Sequence, residues 1–317
     1  MRVTVMGSGG TGGYFGGLLA RAGEDVTFVA RGAHLEAIQA KGLTVRSRLV
    51  GDFTVPARAS DDPSAGGAAD LVLFCVKAYD TENAAERLRP AVGPDTVILP
   101  VQNGIDSAER IGRVVGPSHV IGGTAGVSSV LEAPGIIDHR GGPDTIRLGE
   151  LDGPPSARVQ RIAETLLRAG IKAQVRSDIR VALWEKFVLI CGLSGLTALT
   201  RLTIGAVLAC AETRTLYRQT MDETAAVGRA EGVALPEGTV ETALRQFETA
   251  NPTVRGSLYY DLDAGRRLEI ETLNGTVVRL GRERGVPTPA NFAIYAALKP
   301  YADGAPRGGA GVRDAFP

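Results

Sequence analysis

Gly7-Ser8-Gly9-Gly10-Thr11-Gly12, close to the N-terminus, has the residue types and spacing of a phosphate cradle. In G-x-G-x-x-G the first glycine permits a tight turn and the second lets a diphosphate approach the backbone. The third lets a helix pack closely on a strand. A bound diphosphate would lie on the free N–H groups at the helix start. Arg31 is a second candidate: it ends the next apolar run with no acidic residue beside it. Folds that prefer NAD place a carboxylate near that point for the ribose hydroxyls, whereas a guanidinium fork suits the 2′-phosphate of NADPH. An arginine capping the next helix would look the same. Lys77 and Asn103 stand just past two further apolar runs. In the second half, Lys186 sits between Trp184 and Phe187 in an almost wholly apolar stretch. Burying an unpaired ammonium is expensive, so it either reaches out of its helix or faces a polar cleft. Arg266, Arg267, Glu269 and Glu271 form another charged cluster, although glutamates in a first helical turn are ordinary dipole partners. Ser257 serves equally as a helix cap or a turn hydroxyl.

The elements that must position these residues follow from the apolar pattern. Residues 2–6 read as a buried strand, 14–22 as a helix and 25–30 as a second strand, with a helix over 33–41. Short β segments are predicted at 43–45 and 53–55, then a Gly/Ala/Ser loop over 60–69. Residues 70–76 and 96–101 read as buried strands, followed by helices over 81–88 and 107–115. Gly7, Arg31, Lys77 and Asn103 therefore fall at successive strand exits, where a doubly wound sheet binds its ligands. Segments 119–130, 135–139 and 145–148 are expected to extend that sheet, and helix 156–169 with strand 173–175 to close the first domain. From Ser177 onward strand signals give way to helical spacing. Helices are expected over 179–199, 204–232, 237–249, 269–284 and 291–299. The predicted organisation is a dinucleotide-binding domain over 1–176, a helical domain over 177–301 and a Gly/Ala/Pro-rich tail over 302–317.

The totals exclude other classes. Lys plus Arg and Asp plus Glu both number 35 in 317 residues, so no net field recruits nucleic acid or an anionic membrane. The longest apolar run, 187–199, is shorter than the roughly 20 residues of a membrane span. No export signal is read at the N-terminus. Cys75, Cys191 and Cys210 all lie in apolar runs and read as reduced core residues of a cytoplasmic protein. The three histidines are scattered, and no metal site is expected.

The glycine turn, the Ala30-Arg31-Gly32 exit, the Lys77 strand end, Gln102-Asn103-Gly104 and Trp184-Glu185-Lys186 resemble the ketopantoate reductase (2-dehydropantoate 2-reductase) family. So does the run of Ser257, Asp261, Gly265-Arg266, Glu269 and Asn274-Gly275. The resemblance spans nearly the whole chain in order. It implies an α/β fold, an N-terminal Rossmann-type doubly wound sheet, with an all-helical C-terminal domain of the 6-phosphogluconate-dehydrogenase type and a substrate cleft between them. It implies NADPH as cofactor, held by Gly7, Ser8, Gly9, Gly10, Thr11, Gly12 and Arg31, with Lys77 and Asn103 lining the cofactor–substrate junction. By the same resemblance Lys186 is the general acid, Glu269 binds and orients the substrate, and Ser257 contacts it. Hydride arriving at a 2-oxo carbon leaves an alkoxide, which an ammonium can stabilise and protonate.

The chain departs from the family at two places. Asparagines usually stand four and eight residues after the lysine; here Ile190 and Ser194 do. Ile190 makes no hydrogen bond, and Ser194 is a shorter substrate contact. The expected reaction is reduction of a 2-oxo acid to a 2-hydroxy acid, 2-dehydropantoate to pantoate in pantothenate biosynthesis. A paralogue acting on a more apolar 2-oxo acid or ketone, and a non-catalytic NADPH-binding regulator, are the alternatives. The expected partner is a small molecule, and a homodimer is compatible with this class.

Overall fold

Alternation within short apolar strands builds the first layer. The computed structural model describes residues 1–248 and 251–305, and its chain divides into two compact units, Met1–Leu183 and Trp184–Pro317. In the first unit β1 (Arg2–Met6) is followed by α1 (Gly10–Arg21), β2 (Asp25–Val29), α2 (Gly32–Lys41), β3 (Leu43–Ser47), β4 (Phe53–Val55) and β5 (Arg58–Ser60). Then come β6 (Leu71–Phe74), α3 (Thr81–Leu88), β7 (Val97–Pro100) and α4 (Ser107–Val115). Five of these strands form one sheet in the order β5-β2-β1-β6-β7, every pair parallel. The order doubles back at β1, as a doubly wound nucleotide-binding sheet does. Val3, Val5, Leu71 and Leu73 point into one apolar cluster, while Met6, Val72 and Phe74 point into another. Period-two alternation thus seals both faces, each fully buried side chain contributing about 1.5–3 kcal/mol.

The segments expected to extend this sheet build a different one. β8 (Gly122–Ala133) and β9 (Ile136–Gly149) form a long antiparallel hairpin. α5 (Ala157–Arg168) and β10 (Lys172–Val175) follow it. Along its second edge β9 takes β3 at residues 136–139 and β10 at 145–148, both parallel. An isolated parallel bridge, Ile98 to Val120, joins β7 to the residues just before β8. Between the β segments expected at 135–139 and 145–148, Gly141 and Gly142 carry the strand onward with φ of 119° and 118°, a conformation that only glycine adopts easily. The short β5 was missed because three residues carry no period.

This second sheet braces α1. Tyr14 stacks on His139 with centroids 4.1 Å apart. Ser47 Oγ accepts from the N–H groups of Leu49 and Val50, so its own proton goes to His139 Nδ1 at 2.7 Å. That leaves the proton on Nε2 for Asp144 Oδ1 at 2.9 Å. Burial and then the Asp144 carboxylate push the Tyr14 phenol up to about 12.

The unit boundary falls inside α6 (Ile179–Thr200), which is long and apolar enough to cross a membrane by length and composition. Its most apolar window is 78% buried within the protein, which is the habit of a core helix. The second unit continues with α7 (Ile204–Ala209), α8 (Ala211–Ala230), α9 (Thr239–Glu248), α10 (Ser257–Asp263), α11 (Thr276–Arg284) and α12 (Pro289–Leu298). The helix expected over 204–232 is broken because Cys210 adopts extended dihedrals between α7 and α8. Cys210 is accordingly exposed and not a core residue, whereas Cys191 is buried and Cys75 half-buried. Helix α10, only seven residues long, gave no readable period. The tail expected over 302–317 lies outside the described residues from position 306.

Candidate active site

The turn between β1 and α1 is held from three sides. Gly7 has φ +100°, and a Cβ there would lie 2.8 Å from Val76 N. A Cβ on Gly12 would lie 2.0 Å from Gly7 O, and one on Gly10 would lie 2.1 Å from Ser129 O of β8. Gly9 differs: a Cβ there would meet nothing within 4 Å. It is the N-cap of α1 and caps with no side chain. Gly13 N already bonds Gly9 O, so the N–H groups of Gly10, Thr11 and Gly12 are the ones a helix start leaves without an intrahelical acceptor. An open approach over unclaimed donors is what an anionic diphosphate requires, so the residues present fit a dinucleotide.

Ser8 offers the turn its backbone. Its hydroxyl donates to Val29 O at 2.9 Å and is buried. Ser8 O accepts from His34 Nε2 at 2.8 Å, because His34 Nδ1 is taken by the N–H of Gly135 at 2.9 Å. His34 therefore ties the glycine turn to the β8–β9 connection. Sequence reasoning passed over it because the three partners are distant in the chain. Arg31, the N-cap of α2, is exposed with extended dihedrals.

The exits of β6 and β7 are tied by Gln102, which donates to Val76 O at 2.8 Å and to Thr81 Oγ1 at 3.0 Å. Those two bonds flank Lys77, which is half-buried at the start of a short 3₁₀ turn, Ala78–Asp80. They also precede Asn103, half-buried before Gly104 at φ +102°. Gly7, Arg31, Lys77 and Asn103 thus stand at strand exits of one sheet.

The second unit carries the remaining candidates. Lys186, Ile190 and Ser194 follow one face of α6 at four-residue spacing. Lys186 and Ile190 keep accessible surface, whereas Ser194 is 3% exposed. What covers it is Gly256: a Cβ at that glycine would sit 2.4 Å from Ser194 Cα and 2.5 Å from its Oγ. Gly256 N donates to Thr197 Oγ1 at 3.0 Å, one turn further along α6. The chain is pinned there just before Ser257, which is the first residue of α10 and half-buried.

Glu269 and Glu271 part company in the structure. Glu271 is exposed and pairs with Lys299 and with the Tyr295 hydroxyl. Glu269 is 4% exposed and stands two residues before a π turn, Glu271–Gly275. Such turns are rare and frequent at functional sites. A buried network holds the π turn itself: Asn274 Nδ2 donates to Cys191 O at 3.3 Å and to Asn291 Oδ1 at 2.9 Å. Asn291 donates in turn to Thr220 O and to Glu223, whose carboxylate also caps the start of α12. Asp261, also buried, accepts from Arg266 Nε at 2.9 Å and closes the Gly265 loop. Among the described residues no group of three His, Cys, Asp or Glu side chains is placed to hold a metal ion.

A doubly wound parallel sheet with a phosphate-type glycine turn, followed by a helical unit, defines a dinucleotide-binding α/β class. Comparison with known proteins narrows it. Residues 3–153 match the model for "Ketopantoate reductase PanE/ApbA" and residues 178–302 its C-terminal counterpart. A 2-dehydropantoate 2-reductase of Mesorhizobium japonicum is 35% identical, covering 94% of this chain and 97% of that protein. The crystal structure of a PanE/ApbA family ketopantoate reductase from Ralstonia eutropha superposes with a TM-score of 0.88 at 36% identity, covering 95% and 98% of the two chains. The ternary structure of D-mandelate dehydrogenase with NADH and anilino(oxo)acetate shares the fold, with a TM-score of 0.88 over 95% and 98% of the chains, at 21% identity. This chain belongs to the ketopantoate reductase family.

Proposed function

We propose that this protein is an NADPH-dependent reductase that converts 2-dehydropantoate to pantoate. Family membership supports the reaction, and several curated relatives carry the name 2-dehydropantoate 2-reductase. The observation that carries the cofactor half is the glycine turn, open at Gly9 and closed by backbone contacts at Gly7, Gly10 and Gly12. NADPH, when bound, supplies the hydride to the 2-oxo carbon. The N–H groups of Gly10, Thr11 and Gly12 hold the diphosphate. Arg31, exposed at the exit of β2, offers its fork to the 2′-phosphate. Lys77 and Asn103 border the reacting end. The Lys186 ammonium stabilises the alkoxide oxygen and gives it a proton, which a guanidinium would not release. Glu269 orients the substrate, and Ser257 contacts it. The half-buried Glu185-Lys186 pair in a largely apolar helix fits that role. Domain limits of 1–176 and 177–301 and a cytoplasmic setting complete the proposal; the three cysteines stand as free thiols.

A second reading has one observation in its favour. Ile190 presents apolar surface one turn from Lys186, so a paralogue reducing a more apolar 2-oxo acid is the competing assignment. Steady-state oxidation of NADPH with 2-dehydropantoate and a panel of 2-oxo acids decides between them. A kcat/KM for 2-dehydropantoate of about 10⁴ M⁻¹s⁻¹ or more supports the proposal. A much better value for an apolar 2-oxo acid selects the paralogue, and NADPH binding without any turnover selects a regulator.

A further inference from the structure

Arg255 immediately precedes the point where the chain crosses α6 at Ser194 and Thr197. Its guanidinium lies over the Tyr259 ring, 4.6 Å from the centroid. Its Nε is sealed from solvent and has no acceptor among the described residues. A buried N–H left unmet is costly, and a specific orphan of this kind calls for a missing partner. The backbone that carries it is fixed, because Gly256 packs directly on Ser194 and bonds Thr197, whose hydroxyl itself donates to Leu193 O at 2.7 Å.

We infer that Arg255 is the anchor for the substrate carboxylate, an assignment that rests on the 2-oxo acid reductase proposed above. A 2-oxo acid makes two separate demands. Its ketone oxygen needs a group that can give up a proton, and that is Lys186. Its carboxylate needs a charge that stays put. Neither exposed-face position beside Lys186 supplies one, since Ile190 is apolar and Ser194 is covered by Gly256. At 1.5 Å per residue, Ile190 lies about 6 Å along the helix axis from Ser194, a span open to the long side chain of an arginine rooted one residue before Gly256. A planar fork meets both carboxylate oxygens at once. Stacking on Tyr259 holds the fork flat before substrate arrives, which lowers the ordering cost of binding.

The test compares 2-dehydropantoate with its neutral primary amide. Arg255→Met keeps most of the stem and removes the charge. Its expected effect is a KM for the acid raised about ten- to a hundredfold, with the KM for the amide unmoved and kcat changed by less than about threefold. Arg255→Lys should recover part of the loss. NADPH binding, followed by nucleotide fluorescence, should match wild type and certify the fold. Equal rises for acid and amide, or no rise for either, overturn the anchor. If Arg255→Met does not fold, Tyr259→Leu removes the platform and keeps the charge; it should weaken the acid alone. Should the wild-type protein turn over no 2-oxo acid, the reductase proposal falls by itself. Titration calorimetry with pantoate then decides the anchor: at least tenfold tighter binding to wild type than to Arg255→Met supports it, and equal affinity refutes it.

Discussion

Gly9→Ala separates folding from ligand binding at a single atom. Gly9 has φ −69° and ψ −159°, an extended conformation that alanine adopts without strain. The added methyl meets no protein atom within 4 Å. Stability should therefore hold or rise, by at most about 0.4–1 kcal/mol, because alanine has fewer unfolded conformations to lose. The same methyl would occupy the approach to the N–H groups of Gly10, Thr11 and Gly12. Each charge-assisted bond lost is worth about 1.5–3 kcal/mol, so the NADPH dissociation constant should rise about ten- to a hundredfold or more. Gly12→Ala is the contrasting control: its Cβ would sit 2.0 Å from Gly7 O, and overpacking of about 1–3 kcal/mol should lower the melting temperature. Thermal melts with and without NADPH, together with fluorescence titration, measure both quantities. Unchanged nucleotide affinity in a stable Gly9→Ala protein would refute the cradle. A marked loss of stability would refute the open geometry at Gly9.

Three further outcomes are expected. Lys186→Ala should lower kcat by about 10²–10⁴-fold while NADPH affinity stays close to wild type; near-normal turnover in single-turnover assays would remove the lysine from the chemistry. Arg31→Ala should weaken NADPH by about 1.5–3 kcal/mol and leave NADH nearly untouched, and equal losses in parallel titrations would count against the 2′-phosphate contact. The third concerns pH. The Arg158 guanidinium, helped by the Ser156 hydroxyl, holds the Glu150 carboxyl below its usual range, and Arg110 does the same for Glu82. A carboxyl lowered on folding adds stability above its unfolded value, near 4.5 for glutamate, and that stability drains away as pH falls through the lowered value. Denaturant unfolding should show Arg158→Met weaker than wild type at pH 7, with the gap closing as pH falls below the ordinary glutamate value of 4.5; a gap independent of pH would contradict the pairing.

Local chemistry made much of the fold and site legible from the chain. Three glycines at fixed spacing between a strand and a helix leave few structures open, because Gly7 and Gly12 have no room for a Cβ and an uncapped helix start favours an anion. Most of the parallel sheet was legible for a similar reason: largely apolar runs of four to six residues, each followed by a helix, bury well between two helical layers. The cost of burying an ammonium made the single lysine of a largely apolar helix a candidate, either reaching out of the helix or facing a polar cleft. Registers and partners were not legible, since they depend on residues far apart in sequence. The β8–β9 hairpin pairs with β3 and β10 and builds its own sheet, because a strand's apolar pattern states that it is buried and not against what. His34 became a brace of the glycine turn only through Ser8 and Gly135, 26 and 101 residues away. Glu269 and Glu271 look equivalent in sequence. Tertiary packing buries one before a π turn and leaves the other to Lys299 and Tyr295 at the surface. Ser194 was hidden by Gly256, and Arg255 was singled out as a cation whose buried Nε has no acceptor among the described residues. Residue type determines which chemistry a side chain can perform; only the folded chain decides which of its atoms are left without a partner.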